Sequence, residues 1–294
     1  MEELQAKPKN GLFHFIKNVL DFVQNYFKAM IFLLICFLLF ISSNSTNVNN
    51  ANLMRIDLKG VIMESDTILD SISKASQNPN IRGVLLVVDS PGGAVAPSLE
   101  ISMAVKRLSE QKPVVAYAAG TMASGSYYAS ANADYIIANP GSMIGSIGVI
   151  MQTYNIEELT KKLGISEQVV KAGDFKEAGT AMREWTKDER ASLQELVNDI
   201  YNLFIDDIIE ARGLERSKVN EFANARVFIA SKAKNAGLID EVGSIEDAKN
   251  TLVKIAMVQT PVWKEPDLID KLSKKLAAQA RSEIASLLFG VKAY

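Results

Sequence analysis

Cysteine and histidine are almost absent: the 294-residue chain has one of each, Cys36 and His14, both before residue 45. Everything after that point therefore lacks the means to form a disulfide, a thiolate nucleophile, a Cys/His zinc site or a Ser-His-Asp triad. A hydrolase built from the rest of the chain needs another base. An excess of either charge is missing too. Thirty-two basic residues face 34 acidic ones, net −2, with no long single-sign run, which removes the electrostatic footprint of a nucleic-acid binder. Nor is there an internal repeat of the roughly 20–50 residues that marks a solenoid. Apolar side chains are plentiful: at 48% they suffice for a sizeable core, in one large domain or two small ones.

Charge is wholly missing between Lys28 and Arg55. Ala29 to Ile41 is continuously apolar, and Tyr26, Phe27, Ser42 and Ser43 extend it towards the ~20 residues a bilayer requires. Lys7, Lys9, Lys17 and Lys28 precede this run, so the positive-inside rule leaves the N-terminus in the cytoplasm and the body outside it. A cleavable signal peptide is the competing reading, but the leading region is long and the exit SSNSTNVNNAN has no clear A-x-A site. His14 belongs to an amphipathic stretch, GLFHFIKNVLDFVQNYF, suited to the inner membrane surface. Cys36 is a small apolar residue of the span, and Phe37 after it argues against a lipid-attachment site. The expected organisation is an amphipathic cytoplasmic segment (1–28), a transmembrane anchor (29–43), a polar linker (44–52), a body (53–260) and an amphipathic C-terminal helix (261–294). That last segment carries Leu268, Leu272, Leu276, Ile284 and Leu288 on one side. It fits subunit contact, a lid or membrane contact equally.

In the body, β-rich runs alternate with helical ones. Strands are expected at 54–58, 82–90, 113–119, 134–138 and 146–151, and helices at 66–77, 97–111 and from Ser124. Such alternation with continuously apolar strands implies a mostly parallel, buried sheet covered by helices. A long helix is expected from Lys187. Thr186 and Glu189 are spaced as a capping box, Leu193, Val197, Ile200, Phe204 and Ile208 form a stripe, and Gly213 ends it.

In such sheets ligands bind at the carboxyl ends of strands, and two of those turns are unusual. Asp89-Ser90-Pro91-Gly92-Gly93 joins a strand to a helix. Its paired glycines let the backbone turn sharply and present N–H groups to an anion, though S-P-G-G is also a common tight turn. Gly120-Thr121-Met122-Ala123-Ser124-Gly125-Ser126-Tyr127-Tyr128 puts Ser124 at a helix start among small neighbours. That follows the logic of a nucleophile elbow, although a small residue admitting close helix packing would look the same. Ser146 reads from its own surroundings as a hydroxyl satisfying backbone groups, and Lys176 as one solvated lysine among many.

Taken together, the strand-SPGG-helix segment, G-x-x-A-S-G-x-Y-Y, N-P-G-S-x-x-G-S-I-G-V-I, Gly173-Asp174-Phe175-Lys176 and the later Arg226-Val227-Phe228 to Gly243 resemble the signal peptide peptidase A (protease IV) family in its short, single-repeat form. The resemblance runs from about Met54 to Asp247. It implies a ClpP/crotonase-like fold of repeated β-β-α units and a serine peptidase without metal or cofactor. Ser124 would be the nucleophile, Lys176 the general base, Ser146 the hydroxyl orienting the lysine, and Gly93 and Gly125 the oxyanion N–H donors. It further implies that serine and lysine meet across a subunit boundary in a ring-like homo-oligomer at the bacterial inner membrane, acting on peptides such as cleaved signal peptides, with small or apolar residues at the cleaved position. Three positions depart from the pattern: Ser126, Ala225 and Ala230 stand where the family usually has glycine. The competing functions are a crotonase-like acyl-CoA enzyme and a catalytically silent membrane scaffold.

Overall fold

The computed structural model describes residues 17, 21–22, 24–33, 35–37 and 50–264. Residues 24–33 and 35–37 are helical, and among the described residues no helix is long and apolar enough to cross a membrane. The expected anchor, linker and cytoplasmic segment lie partly, and the C-terminal helix almost wholly, outside the described residues. Ala51–Lys264 is one compact unit. Its last residues are extended: Val262 and Lys264 bond to Asn52 and Leu53, so 261–264 lie beside the first strand.

The elements follow the expected alternation. Strand β1 (Leu53–Lys59), helix α1 (Asp66–Gln77), β2 (Gly83–Ser90), α2 (Val95–Ser109), β3 (Val114–Ala123), the short α3 (Gly125–Ser130) and β4 (Tyr135–Ala138) come in order. Then follow β5 (Met143–Gly145), α4 (Glu157–Lys162), the long α5 (Lys187–Arg212), α6 (Val219–Phe222), β6 (Val227–Ile229), α7 (Ala230–Asn235), β7 (Glu241–Val242) and α8 (Ile245–Ile255). The sheet runs β1-β2-β3-β4-β7, parallel throughout, with β5 and β6 branching from β3. Among the described residues, only β5 and β6 pair antiparallel.

Alternation along each strand divides the core into two layers. Ile56, Leu58, Leu86, Val88, Ala116 and Ile136 face α1, α2 and the end of α5, whereas Leu85, Val87, Val115, Tyr117 and Ile137 pack on α8 through Ala248 and Leu252. Each such aliphatic side chain withdrawn from water contributes about 1.5–3 kcal/mol. Burial on both faces explains the unbroken apolar runs.

One irregularity positions the site. Val115–Ala118 of β3 pair with β4, but Thr121–Ala123 pair with β5. The change of partner coincides with a register shift against β2 between Val88 and Ser90. Asp89 holds it there, its Oδ1 accepting the Thr121 N–H at 3.0 Å. A Cβ on Gly120 would lie 2.4 Å from that oxygen and would displace the Asp89 carboxylate from this bond. The strand expected at 146–151 is therefore not formed: the regular ladder ends at Gly145, and residues 146–156 are irregular.

The ends of α5 agree with the sequence. Thr186 accepts the Glu189 N–H, Glu189 accepts the Thr186 N–H, and Gly213 closes the helix in the left-handed conformation at φ 62°. Burial deepens along the stripe: Leu193, Val197 and Ile200 are half-buried and Phe204 and Ile208 buried, whereas Leu196 and Leu203, which lie off it, are exposed. Residues 149–185 are largely exposed as well.

Of the glycine replacements, Ala230 begins α7 and needs no unusual backbone. Ala225 does, with φ 53°. A side chain in this region costs about 1–2 kcal/mol. Ala225→Gly is expected to stabilise the protein by about 0.5–1 kcal/mol, because relief of strain outweighs the added freedom of the unfolded chain. A thermal midpoint raised by about 1–4 °C in a melting scan would check it; a fall would refute it.

Candidate active site

Strand β3 ends at Ala123, α3 begins at Gly125, and Ser124 alone makes the corner with φ 52° and ψ −126°. A non-glycine residue held there stores about 1–3 kcal/mol, which surrounding structure must sustain. Two bonds do so: Ser124 N–H donates to Gly145 O at 2.7 Å, and Ser124 O accepts the Tyr128 N–H at 3.0 Å. Gly92 packs underneath, where a Cβ would lie 2.8 Å from Ser124 Cβ. The side chain is left partly exposed.

The two glycines proposed from sequence are brought together. In the parallel bridge between Ile62 and Gly93, Ile62 N–H donates to Gly92 O and Ala94 N–H donates to Ile62 O. Those bonds bracket Gly93, so its own N–H points away from Ile62. Gly125 is the first residue of α3, where an N–H has no intrahelical acceptor. A Cβ on Gly125 would stand 3.3 Å from Gly93 N. Both amides thus belong to one small space beside Ser124.

Ser146 is also close. Ala123 pairs with Gly145, so Ser124 and Ser146 each follow a paired strand end. Ser146 has φ 51°, and its N–H donates to Arg226 O at 2.7 Å. Lys176 is different: it is exposed, in a run of turns over 173–180, and is not among the residues lining the Ser124 cavity. Of the five sequence-derived site residues, Ser124, Gly93 and Gly125 line one cavity, Ser146 follows the neighbouring strand end without lining it, and Lys176 lies outside it.

That cavity, of about 90 Å3, is walled by Val95, Tyr128, Val149, Ile150, Ile200 and Phe204, with Ser98 at its base. Sequence reasoning missed three features of it. Ser98 is buried, donates to Ala94 O at 2.8 Å, and occupies the space a Cβ on Gly125 would need, 2.2 Å from its Oγ. The Tyr128 ring stacks on Phe204 with centroids 4.4 Å apart, and its hydroxyl donates to Asp207. Burial, then the Asp207 carboxylate, pushes the Tyr128 hydroxyl well above the usual tyrosine range. The i, i+4 stripe Ile200–Phe204–Ile208 was the available signal, but it reads equally as core. Ser126, a departure from the family pattern, puts its hydroxyl elsewhere: Oγ is fully buried, donating to Ser90 O at 2.6 Å and accepting the Ala123 N–H at 2.9 Å. It ties the strand ends together beneath the elbow.

The model of peptidase family S49 matches residues 106–259. The chain belongs to peptidase family S49. It is 41% identical over 194 residues to a candidate protease of Methanocaldococcus jannaschii, covering 66% of this chain and 61% of that protein. A candidate protease of Synechocystis is 36% identical, with 69% and 73% covered. A candidate signal peptide peptidase A of Enterococcus faecium is 30% identical, with 70% and 64% covered. The chain thus spans less than two thirds of the first and third of these relatives.

Proposed function

We propose that this S49 family member is a membrane-anchored serine endopeptidase with a Ser124/Lys176 dyad on a ClpP/crotonase-like scaffold. The observation that supports the reading is the strained Ser124 corner with Gly93 and Gly125 lining the same cavity. In the proposed reaction the neutral Lys176 amine takes the Ser124 proton and Oγ attacks the scissile carbonyl. The two amides hold the oxyanion, each contributing about 2.7–4 kcal/mol. Collapse expels the amine, which the lysine protonates, and water then releases the acyl-enzyme by the reverse proton route. Ser146 orients the lysine amine.

A dyad shared between subunits accounts for Lys176 lying outside the cavity of its own chain. It also gives a use to the exposed apolar side chains of the same segment, among them Ile150, Met151, Tyr154, Leu159 and Leu163. Charge and hydropathy around residues 29–43 support a single-pass anchor in the bacterial inner membrane with the body outside the cytoplasm. Such an anchor would hold the site beside apolar fragments such as cleaved signal peptides, and the small cavity suits short apolar side chains at the cleaved position.

A fluorophosphonate probe tests the reading directly. It is expected to label wild-type protein at Ser124, with peptide hydrolysis lost in proportion to labelling. Hydrolysis unaffected by full labelling would sink the mechanism, and no reaction with the probe would favour the silent scaffold.

A further inference from the structure

We infer that Arg183 is a positioning residue for Lys176, locking the turn that carries the lysine to the N-terminus of α5. The inference rests on the reading of Lys176 as the base. The anchor is Glu189, whose side chain is only 4% exposed although charged. It is fixed by the helix start, where Oε2 accepts the Thr186 N–H at 2.8 Å. Arg183 forks onto both Glu189 oxygens, at 2.7 and 2.9 Å, and also donates to Glu184 O at 2.9 Å. The same guanidinium reaches Glu177 Oε2 at 3.1 Å, which Lys171 Nζ approaches to 2.7 Å from the other side.

Glu177 is the residue next to Lys176. The backbone between them is wound in consecutive turns, Lys176 N–H to Gly173 O, Ala178 N–H to Phe175 O and Thr180 N–H to Glu177 O. Fixing the Glu177 carboxylate therefore fixes the stem from which the lysine projects. A planar two-sided fork holds direction as well as distance, which a single ammonium contact does not. Scattered surface ion pairs contribute little, but a bidentate pair on a buried carboxylate within a network is the exception. The carboxyls respond accordingly: Arg183, then the Thr186 N–H, holds Glu189 down at about 2, and Lys171 followed by Arg183 lowers Glu177.

The charges also balance. Lys171 and Arg183 offset Glu177 and Glu189, so the clamp adds no net charge beside a lysine that must give up its proton. A helix of 26 residues is a suitable base for it. Its far half carries Phe204 and Asp207, which grip Tyr128 one turn beyond Ser124.

The test uses the full-length protein in detergent, with kcat and KM measured separately on a fluorogenic peptide for wild type, Arg183→Met, Arg183→Lys and Lys176→Ala. A lysine displaced by about an ångström should lose roughly tenfold to a hundredfold in kcat. Arg183→Met is therefore expected to show that loss with KM within about twofold, and Arg183→Lys to recover only part of it. If Lys176→Ala is inactive while Arg183→Met keeps kcat within about twofold, or loses only through KM, the positioning role is overturned and the dyad stands. If Lys176→Ala itself retains activity, the dyad fails first. Should Arg183→Met not assemble, Glu177→Gln decides: it keeps the shape and removes the charge, so a fall in kcat alone supports the clamp and unchanged kinetics refutes it.

Discussion

Ser124→Ala and Lys176→Ala, each assembled separately, are expected to lower peptide hydrolysis by about 10^4-fold or more, and their mixture to regain about one quarter of wild-type activity. The first figure follows from removing one member of a pair that acts as a unit. The second follows from symmetry. In a ring with heterologous contacts, each site takes its serine from one subunit and its lysine from the next. With equal random mixing, the chance that the serine comes from the lysine variant and the lysine from the serine variant is about one half times one half. The structure motivates the experiment, because Lys176 does not line the cavity of its own chain. Subunits must exchange during assembly, so the variants should be unfolded or co-expressed together before measurement. Recovery near a quarter establishes sharing across the boundary. No recovery, with both single variants inactive, restores a dyad within one chain and requires residues 149–185 to fold back onto Ser124.

The elements that the sequence made legible are those set by local chemistry. The β2 and β3 strands are largely apolar on both faces, β1 alternates apolar residues with Arg55, Asp57 and Lys59, and the α5 ends follow from Thr186, Glu189 and Gly213. Ser124 and Gly125 could be placed at a strand-to-helix junction because small residues crowd there. What stayed hidden depends on contacts distant in sequence. The branching of β3 is fixed by Asp89, some thirty residues earlier, reaching Thr121. A run such as Ser146 to Met151 has strand composition but no regular ladder after Gly145, only single bonds from Ser146 to Arg226 and from Ala225 to Ile147, and composition does not reveal where a ladder stops. The Tyr128–Asp207 bond and the Phe204 stack link α3 to α5 across nearly eighty positions. Leu196 and Leu203 are apolar residues off the α5 stripe and are exposed.

Gly125→Ala is expected to lower kcat by about 10^2–10^3-fold with little change in KM, and Ser98→Gly in the same chain to restore a large part of it. The reasoning is steric and then electrostatic. Gly125 does not have positive φ, so alanine is conformationally acceptable there. Its Cβ, however, would sit 2.2 Å from Ser98 Oγ and 3.0 Å from Ser98 Cβ. Ser98 is buried in α2 and held to Ala94 O, so it has little room to yield. The cheaper movement is of the elbow itself, which turns the Gly125 N–H away from the oxyanion position and costs what one donor supplies, about 2.7–4 kcal/mol. Deleting the Ser98 side chain removes both clashes, whereas Ser98→Ala leaves the contact at 3.0 Å and should rescue less. Kinetics of the four variants, with thermal midpoints alongside, separate the two readings. If Ser98→Gly alone is as damaging as Gly125→Ala and the pair is additive, the Gly125 effect does not run through this contact. If rescue is seen in kcat and not merely in stability, the N–H of Gly125 acts in the transition state.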